Sequence, residues 1–282
     1  MTTTLRPTEP LQRESGTGGR LSRKYQVCVN SRPVGSLHLS THPGFGPTIA
    51  QIEELRIDEA DRRRGRATVA ALAAEEVARS WGARMIEVYV PVERGTAPDD
   101  APGVRLATAL GYVPRNRGME KLLGTAAPAL PPGVTVRPFT EAEYRPRMER
   151  AFAHFADDCV ERGITRAEAD ARAARDFAEH ATAWPPGPST VLSVLEQNGR
   201  CLGTLWLHSA DGHSYVYDVE VAAEFRGRGH GRTLMHLAEA QAIAAGSTVL
   251  SLNVFAGNTP AEKLYASLGF EVSGQGMYKN LL

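Results

Sequence analysis

Four short segments of this chain recur in the same order about 160 residues further on, and an internal duplication constrains the possible folds more than composition does. Val34-Gly35-Ser36-Leu37 returns as Leu202-Gly203-Thr204-Leu205, and Arg62-Arg63-Arg64-Gly65-Arg66-Ala67 returns as Arg226-Gly227-Arg228-Gly229-His230-Gly231. Leu110-Gly111-Tyr112 returns as Leu268-Gly269-Phe270, and Gly118-Met119-Glu120-Lys121 as Gly276-Met277-Tyr278-Lys279. A chain of 282 residues is long for one core and suits two. The Pro- and Gly-rich stretch 124–133 reads as the boundary, giving predicted domains 1–123 and 134–282 joined by that linker.

The second copy is legible element by element. Val134 to Pro138 predicts a short strand, and Thr140 with Glu143 forms a capping-box signature opening a helical region that runs to His180. Thr165 with Glu168 is a second such signature. Two strands flank Asn198-Gly199, a dipeptide suited to a tight hairpin turn. A strand through Tyr215 to Val221, a helix from about Gly231 to Ala245, a strand Val249 to Val254, a helix Pro260 to Leu268 and a closing strand near Met277 follow. The pattern predicts an α/β (α+β) class, a mixed sheet with helices on it. In the first copy only a Gly- and Ser-rich segment separates Arg6 from Lys24, so the long helical region has no counterpart there.

Charge and cysteine content exclude several function classes. Lys+Arg and Asp+Glu both number 32, so there is no global basic field of the kind that draws nucleic acid or an anionic membrane surface. Cys28, Cys159 and Cys201 are scattered, with no paired spacing for a disulfide scaffold or zinc site, and a reducing cytoplasm is the expected compartment. His208, His213 and His236 have no metal-type spacing, and no metal is expected. Met1 to Gly19 lacks the apolar segment of a signal peptide, and no stretch reaches membrane-spanning length.

Between Val219-Glu220-Val221 and the alanine-rich helix lies a glycine-rich turn, Arg226 to Gly231, continued by Arg232 and Thr233. Glycines let the main chain approach an anion and turn with positive φ, while the first amides of the helix offer partial positive charge to a phosphate. The helix dipole alone favours an anion there by about 0.3–2 kcal/mol.

This turn resembles the coenzyme-A signature of the GNAT N-acetyltransferase superfamily, Gln or Arg-x-x-Gly-x-Gly or Ala, and both copies match it. A second segment, Leu252-Asn253-Val254 through Asn258, Ala261, Leu264 and Tyr265 to Gly269-Phe270, resembles the other half of that family's site. The resemblance covers Val134 to Leu282 well and Tyr25 to Leu123 more weakly. It implies two tandem GNAT domains, each a mixed, mostly antiparallel sheet flanked by helices, in a two-domain plan similar to that of the mycothiol synthases.

The resemblance implies acetyl-CoA as co-substrate. Arg226, Gly227, Arg228, Gly229, His230, Gly231, Arg232 and Thr233 would hold its pyrophosphate. The backbone of Val219 and Val221 would line the pantetheine arm, with Asn253, Asn258 and Ala261 beside it. Tyr265 becomes the candidate general acid for the departing thiolate. An attacking amine must be neutral, so a base is required. Glu220 and then Asp218, on one face of the strand by alternation, are the candidates, unless a bulge alters the geometry.

The implied reaction is direct acetyl transfer to a primary amine, with no covalent intermediate. The acceptor would be a small molecule, with a mycothiol-type or peptide amine left open, as is a non-catalytic acyl-CoA sensor. Neither nucleic acid nor membrane is an expected partner, and the state expected is monomer or homodimer. Acceptor contacts are expected from 141–180, where Asp157, Asp158 and Glu161 could attract a cationic amine or equally form a solvated helix face. In the first copy Ala107 stands opposite Tyr265, Arg56 opposite Glu220, and Arg94 opposite Asn258 when the phosphate turns are aligned. That copy is expected to be catalytically silent, retaining a coenzyme site or a structural role.

Overall fold

A computed structural model of the chain describes residues 2–14, 19–180 and 184–281. It divides into two compact units, one of residues 1–116 with 274–282 and the other of 117–273.

In the first unit, β1 (Thr3–Pro7), β2 (Gln12–Arg13), β3 (Leu21–Val29), β4 (Arg32–His42) and β5 (Gly46–Ile57) pair antiparallel. The helix α1 (Arg66–Ser80) then carries the chain across to β6 (Met85–Pro91), which lies parallel to β5. The helix α2 (Pro102–Ala109) follows. Ala70, Ala71, Ala74 and Ala78 form the buried stripe of α1, a run of small side chains at helical spacing that lets the helix lie close to the sheet.

The second unit takes β7 from Arg117 on (the strand is Val113–Leu122), then β8 (Val134–Pro138), α3 (Glu141–Glu161) and α4 (Arg166–His180). Next come β9 (Thr190–Gln197), β10 (Arg200–Ala210), β11 (His213–Val221), α5 (His230–Ala244), β12 (Val249–Phe255) and α6 (Thr259–Ser267). The strand order is β7-β12-β11-β10-β9-β8, with β11 and β12 parallel. Both capping boxes form: the Glu143 carboxylate accepts from the Thr140 amide at 2.9 Å, and Glu168 takes the Thr165 hydroxyl at 2.5 Å. Asn198 (φ 53°) and Gly199 (φ 72°) make the two-residue turn between β9 and β10.

This second sheet is covered on both faces. Leu205, Leu207, Val216, Leu250 and Leu252 meet Leu234, Met235 and Ala238 of α5 in one apolar core. Leu192, Val194 and Trp206 meet Phe139, Tyr144 and Met148, largely from α3, on the other.

The last strand, β13 (Glu271–Asn280), departs from the boundary read from the sequence. From Gly274 on it pairs antiparallel with β6 and belongs to the first unit. Conversely, β7 from Arg117 on belongs to the second, where Met119 enters the core. The two closing segments begin with the same Gly-Met pattern, so composition does not say which sheet either one joins. The Nζ of Lys279 lies 2.8 Å from the buried carboxylate of Glu75 on α1, tying the C-terminal strand into the first unit.

Candidate active site

Each copy turns from strand to helix in the same way. In the second, Gly227 (φ 75°) and Gly229 (φ 87°) take the left-handed conformation, and Gly229 caps α5 with no side chain over the helix start. In the first, Arg63 (φ 58°) and Gly65 (φ 72°) do the same ahead of α1. The first residue of each turn faces the strand it leaves. Arg226 Nε donates to Val221 O at 3.2 Å, and Arg62 Nε donates to Ile57 O at 2.9 Å. The turn arginine thus staples the strand end, leaving the uncapped helix amides as the anion-accepting group. Around them in the second copy the guanidinium groups of Arg200 and Arg228 lie 4.6 and 5.7 Å from the ring of Phe225, and Arg232 Nη2 donates to Ser267 Oγ at 2.6 Å. Gly231 is packed so that a Cβ would sit 3.1 Å from Leu264 of α6, which explains the small residue there.

Beyond this turn the parallel strands part. β11 and β12 pair only from His213–Val216 to Val249–Leu252, so Val219 and Val221 on one side and Asn253 on the other flank a wedge. The cause lies on the opposite edge of β11, where the register with β10 shifts at Tyr217 and bends the strand. An extended ligand arm entering such a wedge meets strand backbone that is not committed to β12.

Tyr265 is buried at the inner side of α6, its ring 5.9 Å from that of Phe270. Burial pushes its phenol up to about 12, so it holds its proton throughout the neutral range. Asn258 is the N-cap of α6: its Oδ1 accepts from the amide of Ala261 at 3.3 Å. Its carbonyl end is therefore spent on the helix, and its Nδ2 is the atom suited to a ligand. Ala261 packs against the core.

Asp218 and Glu220 do share a face, because the bulge falls before Asp218 and leaves the alternation after it intact. Between them comes a group that the sequence reading did not single out. Arg147 of α3, 6% exposed at its side chain, pairs with Asp218, lies 3.3 Å from Glu220, and donates from Nε to Thr204 Oγ1 at 3.2 Å. Its signal was present: Tyr144, Arg147 and Met148 follow helical spacing on the buried side of α3, so an arginine interrupts an apolar stripe. Of the three acids that could attract a cation, Asp157 pairs with Arg166 at 2.8 Å and Asp158 with Arg162 at 3.3 Å. His213 Nε2 lies 2.8 Å from Ser251 Oγ and His208 Nδ1 3.3 Å from Thr190 Oγ1, both as structural histidines.

The first copy has the same glycine turn as the second without the tyrosine and the acidic pair. Ala107 occupies the position of Tyr265, its carbonyl accepting from Tyr112 as that of Tyr265 accepts from Phe270. Arg56 faces Ser36 as Glu220 faces Thr204. The residue matching Asn258 is Ala101, the N-cap of α2, and not Arg94. The loop before α2 is longer than that before α6, so counting from the phosphate turn stops short of the cap. A cavity of about 630 Å³ opens here, bordered by Gly65, Arg66, Val88, Leu106 and Ala107. Among the described residues nothing in this unit corresponds to α3 or α4.

Comparison with known proteins agrees with this geometry. The model of the Acetyltransferase (GNAT) family matches twice, over residues 5–112 and 164–270. A mycothiol acetyltransferase of Pseudarthrobacter chlorophenolicus is 31% identical over 182 residues, 58% of this chain and 52% of that protein, so the match spans about half of the relative. Among solved structures, a GCN5-related N-acetyltransferase from Sphaerobacter thermophilus superposes with a TM-score of 0.59 at 18% identity, over 92% of this chain and 80% of that one. A tandem GNAT protein from the clavulanic acid biosynthesis pathway does so with a TM-score of 0.52 at 18% identity, over 93% and 84%. Two family matches covering most of the chain, on two units with the same strand-turn-helix site, mean that this protein belongs to the GNAT acetyltransferase family, as a tandem member.

Proposed function

We propose that the second unit transfers acetyl from acetyl-CoA to the primary amine of a small molecule by direct attack, and that the first unit is not catalytic. The observation that carries this reading is the buried, proton-holding Tyr265 in one unit against Ala107 in the other. The amides opening α5 after Gly229 hold the pyrophosphate, and Val219 and Val221 guide the arm along β11. Glu220, assisted by Asp218, takes a proton from the ammonium, directly or through a water. The amine nitrogen then attacks the thioester carbonyl carbon, the C–S bond breaks, the leaving thiolate takes the Tyr265 proton, and the proton shed by the nitrogen as the amide forms restores the phenol. Arg147 holds the two carboxylates in place. The relatives named mycothiol acetyltransferase favour a small-molecule acceptor over a protein one.

The open cavity around Gly65 and Ala107 supports a retained coenzyme-A site in the first unit, in a structural or regulatory role. Thiol release from acetyl-CoA across a panel of amines tests the main reading. Tyr265→Phe is expected to slow turnover by about 10²–10⁴ if it removes the general acid. An unchanged rate removes Tyr265 from the mechanism, and coenzyme binding without turnover of any amine would instead identify a sensor.

A further inference from the structure

The bulge on β11 also builds a surface. Trp206 lies opposite Asp218 and Leu207 opposite Val216, so Tyr217 is the extra residue, and Tyr217 and Asp218 leave the strand toward the same face. Tyr217 stacks on Trp206 with ring centroids 5.1 Å apart and an interplanar angle of 24°, while Asp218 meets Arg147. The rings of Tyr215 and His208 meet Tyr217 edge-on at 4.9 and 6.1 Å. Although three rings position it, Tyr217 remains 56% exposed. The Nε1 of Trp206 is buried with no hydrogen-bond partner in the chain. The carboxylates of Asp218 and Glu220 meet the guanidinium of Arg147 beside the aromatic cluster, with Arg150 the next cation along α3.

A ring held by three neighbours yet 56% exposed, next to two carboxylates, suits a flat ligand carrying a cation. Resting on the reading that acetyl transfer takes place in this unit, we propose that the acceptor is an amine on a short arm from a flat ring. The ring stacks on the open face of Tyr217, and the ammonium is drawn to Asp218 and Glu220. A linear alkylamine satisfies only the second interaction.

Steady-state acetyl transfer by the full chain to 2-phenylethylamine and to n-butylamine tests the idea. The wild type should prefer the aromatic amine in kcat/KM by about 2- to 10-fold, the worth of one stacked pair. Tyr217→Ala should remove that preference through KM, and Tyr217→Phe should keep it. Equal kcat/KM for the two amines, or a preference that survives Tyr217→Ala, overturns the proposal. So does a wild type that acetylates neither amine. The transfer reading stands in every such case if another amine is turned over and Tyr265→Phe slows it, and falls if Tyr265→Phe changes nothing.

Discussion

Arg147 on α3 and Asp218 on β11, 71 residues apart in sequence, form an ion pair whose arginine is buried and which also reaches Glu220 at 3.3 Å. Replacing Arg147 with Met keeps much of the side-chain volume but leaves the two carboxylates facing each other without their cation. Both keep about a third of their surface in solvent, so the loss should be smaller than for a fully buried pair, about 1–3 kcal/mol. Urea unfolding should show that shift in midpoint, and the KM for the amine should rise with it because both carboxylates lose their fixed position.

Tyr265 predicts a pH signature. Its phenol is raised to about 12 by burial, above the ordinary value near 10, so the stabilisation associated with keeping it protonated is complete below pH 10. That stabilisation is lost as pH rises from about 10 to 12. Wild type should therefore lose unfolding free energy over that window by about 2–3 kcal/mol more than Tyr265→Phe. Any alkaline limb of the rate profile below pH 9 must come from another group.

Gly203 and Gly35 hold equivalent positions, and at each a Cβ would collide with a carbonyl across the strand pair, that of Glu220 and that of Arg56. Alanine at Gly203 would also sit 2.9 Å from Leu234 of α5. Each substitution should destabilise by about 1–3 kcal/mol through overpacking. Only Gly203→Ala should also depress acetyl transfer, since it moves Glu220, and comparison of kcat with thermal midpoints for the two variants separates these effects.

The uncapped start of α5 predicts where coenzyme A is lost. Gly229→Asp places a carboxylate at the anion site and a side chain at φ 87°, and it should abolish calorimetric binding of coenzyme A to the second unit. Gly65→Asp should do so in the first. Two binding events in the wild type, each removed by its own variant, are the expected pattern. Binding that survives Gly229→Asp unchanged contradicts the assignment of that turn.

The C-terminal strand is part of the first unit, so a fragment ending at residue 123 should not fold. It lacks β13, leaving β6 as an open edge and Glu75 buried without Lys279. Circular dichroism and urea titration of that fragment, beside the full chain, check this. A cooperative transition at the wild-type midpoint would refute it.

Sequence by itself determined the duplication, the two glycine turns, both capping boxes, the Asn198-Gly199 hairpin and the candidate acid Tyr265. The first four are written in the backbone preferences of a few neighbouring residues or in a pattern that recurs at a fixed separation, whereas Tyr265 was picked out by the family resemblance of its segment. Folding at distance decided the rest. Arg147 entered the site because α3 lies against β10 and β11, which no local spacing encodes. Tyr217 joined the face of Asp218 because a bulge cancels the alternation for one residue, and Ala101 replaced Arg94 as the counterpart of Asn258 because a longer loop shifts the cap. Which sheet receives each closing strand depends on the edge available to it, and two near-identical Gly-Met segments are distinguished only by the partners they meet in the folded chain.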